Sequence, residues 1–373
     1  MSELPPLPPV DAPTDPTASP TPPPRRRRRW SVVVGAAALA VVAVVVTAMA
    51  FIKVPYVIIS PGDATALDEQ IVSISGAPTY AHDGSLLYLT VSVSSSDPNV
   101  WRYLFATLDD DVEVEKRETV IGCASYEDNA KLQDELMRQS QDLAKEVALR
   151  RLGYEVPEAG RRAMILDVQC DAPAEGALRT GDRITAVDGT PVETAEEVGS
   201  LVQARSPGDA VVVAVERDGT PLNVTVRVGG RDGIAYLGIV SQTLYDWSFP
   251  VQVEIDTQRV SGPSAGLAFT LAIIDDLTPG DLTGGGKVAV TGSIAADGSV
   301  GAVGGVAQKA VAARDNGAML MLVPAGEAAE AREHADGMKI VSVRTIDDAL
   351  RALEKAGGRP VDAVPTATTT TGQ

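Results

Sequence analysis

Val260-Ser261-Gly262-Pro263-Ser264-Ala265-Gly266-Leu267 is the stretch on which the reading of this chain turns. Its small residues predict a turn opening into an apolar helix (Leu267, Ala268, Leu271, Ala272, Ile273, Ile274), with the Ser264 hydroxyl at the helix mouth. Downstream, Gly304-Gly305-Val306-Ala307-Gln308-Lys309 predicts the opening of a second helix. Val306, Lys309, Ala310 and Ala313 fall at i, i+3, i+4 and i+7 of it, so a lysine lands on the stripe that should face the core. A serine hydroxyl becomes a useful nucleophile only when a neighbour takes its proton. Lysine can do so only as the neutral amine, and burial favours that form by lowering a pKa that is ordinarily about 10.4. Orphan N–H groups in the first turn of the serine helix could serve as oxyanion donors. Taken singly, Ser264 reads better as a helix cap and Lys309 as a lysine that snorkels its head to solvent.

The formal net charge of −18 over 373 residues argues against a nucleic-acid partner. The basic cluster, Arg25 to Arg29, stands instead before Ser31 to Ile52, a run of 22 residues without a charge. As a helix this run would be roughly 33 Å long, enough to cross a bilayer core. With arginines before it and an acidic chain after it, an uncleaved single-pass anchor is expected, its N-terminus cytoplasmic and the rest outside the cell membrane. Ala48-Met49-Ala50 offers the competing reading of a cleaved signal peptide. Residues 1–30, rich in proline and arginine, and residues 358–373 read as disordered tails. Cys123 and Cys170 are either one bridge or two separate buried thiols. The two histidines, His82 and His334, form no HExxH motif, so neither a metal site nor a cofactor is expected.

Between the tails the pattern divides into three. Residues 53–153 read as short β runs, including Leu86 to Val93, followed by a helix over 127–151 with Leu132, Leu136, Leu143 and Val147 as its apolar stripe. Residues 154–230 give a strand, a small-residue turn, a second strand, a helix capped by Thr194 and Glu197, and two strands joined at Asp218-Gly219. Residues 231–357 alternate strands and helices, which argues an α/β domain. The fold class is therefore mixed α/β (α+β) and multidomain.

The run from Asp171 to Val192, DAPAEGALRTGDRITAVDGTPV, resembles a PDZ domain of the bacterial protease type. PDZ domains bind peptide ends by adding a strand to a sheet edge beside a helix. That resemblance implies a groove between Ala163 to Val168 and the helix from Ala195 to Ala204, with the loop Ala159-Gly160-Arg161-Arg162 at the terminal carboxylate. Gly160, Arg161, Met164, Ile165, Leu166 and Val198 are the implied peptide-binding residues.

Gly262 to Leu267, Thr291-Gly292-Ser293-Ile294 and Val303 to Ala313 together resemble the proteolytic domain of Lon proteases. The resemblance implies that Ser264 is the nucleophile, Lys309 the general base and Thr291 an orienting residue. Ser261 stands where the family often has an acidic residue. Gly262-Pro263-Ser264-Ala265-Gly266 also satisfies GxSxG, the nucleophile elbow of α/β-hydrolases, a motif that needs a downstream histidine, here His334. Gly284-Gly285-Gly286-Lys287-Val288 lacks the first glycine and the final hydroxyl residue of a phosphate-binding loop, so no nucleotide is expected. In their order, anchor, PDZ unit and Lon-like unit resemble the membrane-anchored, PDZ-containing Lon-like serine peptidases of bacteria. This implies ATP-independent cleavage of exposed protein or peptide segments outside the membrane, with a homo-oligomer by analogy. A membrane-tethered PDZ scaffold with an inert peptidase domain is the alternative.

Overall fold

The computed structural model describes residues 26–258 and 260–359. The two tails expected from the sequence lie mostly outside them. The chain forms two units, residues 1–52 and 53–373. In the first, helix α1 spans Arg26–Met49. The side chains of residues 26–29, 31 and 32 lie outside the described residues. Among the described residues no helix is long and apolar enough to cross a membrane, so the expected anchor is not established by the fold.

The second unit is built on two sheets. Strands β1 (Tyr56–Ala66), β2 (Ser85–Val93) and β3 (Glu113–Lys116) come first, then helix α2 (Tyr126–Arg151). The PDZ-like part follows, with β4 (Glu158–Val168), β5 (Arg183–Val187), α3 (Ala195–Gln203), β6 (Ala210–Arg217), β7 (Thr220–Arg227) and β8 (Ile239–Trp247). The last part carries α4 (Gly266–Asp276), β9 (Lys287–Val290), α5 (Val306–Asp315), β10 (Leu320–Pro324), α6 (Ala328–Glu333), β11 (Lys339–Val343) and α7 (Ile346–Lys355).

One sheet has the order β11-β10-β9-β2-β1-β3. β2 pairs parallel with β9, and β9, β10 and β11 are mutually parallel, while β1 runs antiparallel to β2. Leu86, Tyr88, Val288, Val290, Leu320 and Leu322 face one core with α2, α4 and α7. Leu87, Leu89, Ala289, Met321 and Val323 face the other with α5 and α6. A sheet covered on both faces needs apolar residues at every position. This is why Leu86 to Leu89, Lys287 to Val290 and Leu320 to Val323 read as nearly continuous apolar runs. Helix α4 lies inside, with Leu267, Phe269, Leu271, Ile273 and Ile274 all fully buried.

The domain boundaries drawn from sequence do not follow these sheets. Residues 53–153, expected as a membrane-proximal element, supply β1, β2 and β3 to the same sheet as residues 287–343. The PDZ-like part is inserted into that fold, and it runs past residue 230. Its sheet order is β8-β4-β5-β6-β7, with Ile239 to Trp247 paired along Val168 to Glu158. Cross-strand pairing over that length outweighs the break in hydrophobic pattern near residue 230.

The Thr194/Glu197 capping box forms as expected. Asp182, 1% exposed, is held in two hydrogen bonds of 2.7 Å by the Arg217 guanidinium, a pairing that fixes the Gly181-Asp182 turn to the β6 end. Cys123 and Cys170 form a disulfide, tying the loop before α2 to the end of β4.

Candidate active site

The site is assembled at the carboxyl end of β9. Immediately after that strand, Gly292 N–H donates to the Ser264 carbonyl at 3.0 Å, and the Thr291 hydroxyl reaches the same oxygen at 3.4 Å. Leu267 N–H returns a bond to Gly292 O at 3.0 Å, and Thr291 N–H pins the turn to Leu322 O of β10 at 3.1 Å. The serine turn is thus tied to the sheet by its backbone. Gly266 is required there by space: a Cβ would lie 2.8 Å from Ser140 Oγ and 2.9 Å from Ile294 Cγ2.

Helix α5 opens on the opposite face of the sheet. A Cβ on Gly305 would meet Val91 Cγ1, at the end of β2. Val303 N–H donates at 2.8 Å to Glu327, which follows β10. β2, β9 and β10 are parallel, so both helix mouths lie at one end of the sheet, the usual place for a site in an α/β fold. Ser264 and Thr291 are brought together by hydrogen bonds, and Lys309 stands in the first turn of α5 at that same end.

Lys309 is 1% exposed. Burial disfavours its ammonium and lowers its pKa to about 8, while the Glu327 carboxylate pulls it upward. Glu327 is itself pushed above the usual carboxylate range, first by its own burial. Its Oε1 accepts from Val303, and its buried Oε2 has no hydrogen-bond partner. The sequence reading did not single out Glu327, whose role depends on where the loop after β10 returns.

The histidines sit elsewhere. His82 Nε2 lies 2.8 Å from the Asp275 carbonyl, at the last turn of α4 and so at the far end of that helix from Ser264. The His334 carbonyl accepts from Arg314 in the last turn of α5, the end away from Lys309, and its ring pairs with Asp111 at 3.8 Å. The hydrolase-elbow reading therefore loses its partner. Among the described residues no cluster of side chains could hold a metal ion.

The peptide groove is not where the sequence reading put it. Ala159 to Arg162 form no loop; they lie within β4, with Gly160 opposite Asp246 and Arg161 opposite Tyr245. Both edges of β4 are taken, by β8 and by β5, so no strand can be added there. Ile165 belongs to the PDZ core, and Met164 packs with Leu132 and Leu244, with Leu166 beside them. Of the two strands that end the sheet, β8 and β7, it is β8 that lies beside α3. A cavity of about 240 Å³ lies there, lined by Val198 and Val202 of α3 and by Tyr236, Gly238, Ile239 and Ser241. Only Val198 of the six expected groove residues lines it. Gly238 has φ +78°, and a Cβ on it would meet Ala172 Cβ at 2.2 Å, so Tyr236-Leu237-Gly238-Ile239 makes the tight bend into β8. That bend was the missed signal, hidden by a boundary placed at residue 230.

Residues 250–355 match the Lon protease C-terminal proteolytic domain. Residues 150–228 match the PDZ domain family. The chain is 29% identical over 187 residues to a Lon protease of Phenylobacterium zucineum, covering 48% of this chain and 23% of that protein. It is 33% identical over 105 residues to the "Probable periplasmic serine endoprotease DegP-like" of Halomonas elongata, covering 28% of this chain and 17% of that protein. A crystal structure of the PDZ domain of an SdrC-like protein from Listeria innocua aligns at 24% identity and TM-score 0.21, over 21% of this chain and 92% of that one. The chain spans less than a quarter of the length of either curated relative.

The chain thus joins a PDZ domain to a proteolytic domain of the Lon type. In space the Lon-type domain is larger than the matched segment, because its sheet includes β1, β2 and β3. It also includes α2, which touches the serine turn directly. Gly262 N–H donates to Gln133 O at 2.9 Å, and Ser140 Oγ donates to Pro263 O at 3.0 Å. Neither residue carries a sequence signal beyond its place on an amphipathic helix.

Proposed function

We propose that this chain is an ATP-independent serine endopeptidase in which Ser264 is the nucleophile and Lys309 its general base. The observation that carries the reading is the convergence of the serine turn and a buried lysine of depressed pKa on one end of the sheet. Neutral Lys309 takes the Ser264 Oγ proton as that oxygen attacks the scissile carbonyl. The oxyanion is received by N–H groups at the mouth of α4, around Ala265 and Gly266. The Lys309 ammonium, with the Glu327 carboxylate near it, returns the proton to the leaving amine. Water, activated by the same lysine, then hydrolyses the acyl-enzyme. Thr291 orients the nucleophile through the Ser264 carbonyl.

Exposed segments of membrane or secreted proteins are the proposed substrates, recognised by their ends at the β8 edge beside α3. A single-pass anchor at residues 31–52, N-terminus inside, is part of the proposal and rests on the 22-residue uncharged run after five arginines. The Cys123–Cys170 disulfide supports an oxidising compartment. Independence of ATP is proposed from the family resemblance alone. Homo-oligomeric assembly is proposed by analogy alone.

An inert PDZ scaffold would give no reason to bury a lysine whose neutral form is accessible near pH 8. The test is cleavage of an unstructured protein by the full chain and by Ser264→Ala, with folding checked by circular dichroism. Cleavage that disappears in the variant supports the reading. Cleavage that persists undiminished sinks it. Proteins that accumulate outside cells carrying only Ser264→Ala would identify substrates.

A further inference from the structure

We propose that Ser140, on helix α2, is a positioning residue for the Ser264 nucleophile, an inference that rests on the peptidase reading above. Ser140 is 3% exposed, and its hydroxyl donates to Pro263 O at 3.0 Å, one residue before Ser264. Its Oγ also stands 2.8 Å from where a Cβ on Gly266 would be. The hydroxyl therefore touches the serine turn on both sides of the nucleophile. Gln133 O, about two turns earlier on the same helix, holds Gly262 N–H at 2.9 Å.

The backbone of the turn is gripped from two directions. From the sheet side, Gly292 N–H and the Thr291 hydroxyl hold the Ser264 carbonyl. From the helix side, Ser140 and Gln133 hold Pro263 and Gly262. The sheet-side bonds fix one peptide oxygen but leave the peptide before it free to rotate. The acceptor of that peptide, which joins Pro263 to Ser264, is the Pro263 carbonyl, and this is the group that the Ser140 hydroxyl holds. Rotation there would swing Ser264 Oγ relative to the N–H groups of Ala265 and Gly266 and to the amine of Lys309. Misplacement of reacting groups by about 1 Å can cost on the order of 100-fold in rate.

Ser140→Ala removes the hydroxyl and nothing else. Expected is a fall in kcat of about 10- to 100-fold per active site, counted by titration with a serine-reactive phosphonofluoridate, with KM changed less than about twofold. The acid limb of the pH profile should stay in place, because Lys309 keeps its surroundings. Ser140→Cys, nearly the same size with a weaker donor, should fall between the two. Leu149→Ala on the same helix is the control. Leu149 is fully buried and makes none of the hydrogen bonds to the turn, so it should lower the melting temperature without lowering kcat per titrated site.

A kcat per titrated site in Ser140→Ala equal to that of the unaltered protein overturns the inference, as does an equal fall in Leu149→Ala. If Ser140→Ala does not fold, the same comparison is made with Ser140→Cys alone. Failure of the peptidase reading looks different: the unaltered chain would cleave nothing, or Ser264→Ala would cleave as well as it does.

Discussion

Replacing Glu327 by Gln removes the charge that acts upward on Lys309 and keeps the oxygen that accepts from Val303 N–H. With a pKa of about 8, Lys309 is neutral in only about one molecule in ten at pH 7, and under the proposed mechanism activity is limited by that fraction. Burial without the opposing carboxylate should lower the pKa further. The gain in kcat/KM then has a ceiling set by the fraction still protonated. It is at most about tenfold at pH 7, about twofold at pH 8, and negligible above about pH 9. Above that pH a less basic amine should make the variant slightly slower.

The assay is kcat/KM for an internally quenched peptide between pH 6 and 10, in the unaltered chain and in Glu327→Gln. The midpoint of the acid limb should lie near 8 in the first and lower in the second. Glu330→Gln is the matched control: Glu330 accepts from Ala307 N–H at 3.3 Å but is not among the charges acting on Lys309. A midpoint that stays put or rises in Glu327→Gln would refute the reasoning. Either the titrating base is not Lys309, or the Glu327 field does not reach it.

Three further outcomes are expected. Lys309→Met should abolish turnover and yet stabilise the fold at pH 7. The folded pKa, about 8, lies below the unfolded value of 10.5, so the unfolded chain binds more protons between them and the penalty is full below about pH 8. Removing it should add up to about 3 kcal/mol at pH 7, shrinking toward pH 10, as measured by urea denaturation. Cys123→Ser with Cys170→Ser should cost up to about 4 kcal/mol by the chain-entropy account of a bridge spanning 47 residues, read as a lower denaturation midpoint. Val202→Asp should prevent binding of a decapeptide with a free apolar C-terminus, measured by fluorescence anisotropy, while cleavage of a short quenched peptide stays unchanged.

Local features were legible in the sequence where their cause is local. Ser264 heads an apolar helix and Thr194 with Glu197 caps α3, because such signals act within one or two turns; Lys309 is buried as expected, but on a helix buried all round from Val306 to Ala313 rather than along one stripe. The sheet was not legible. β2 is inserted between β9 and β1, strands that lie on either side of it in sequence, and nothing in Leu86 to Val93 marks those partners. The groove failed for a related reason. A strand of apolar and small residues such as Met164 to Val168 looks like an edge beside a helix until β8 is seen to occupy that edge. Glu327, Gln133 and Ser140 escaped because each acts through a contact distant in sequence, and a glutamate in a loop or a serine on a helix is ordinarily uninformative.

The insertion of the PDZ domain has a physical logic. Its first and last strands, β4 and β8, pair so that Glu158 faces Trp247; its ends are adjacent, and a domain with adjacent ends can be inserted with little disturbance to its host. Yet it is not loosely hung. Leu132 and Leu136 of α2 pack on Met164 and Leu244, and Glu135 on the same helix pairs with Arg162 at 2.8 Å. Arg162 in turn pairs with Asp246 of β8. The helix that grips Pro263 and Gly262 is thus also the helix on which β8 rests. One helix bears on both the serine turn and β8, and that is a stronger reason for the apolar residues of α2 to span two cores than the packing of either core alone.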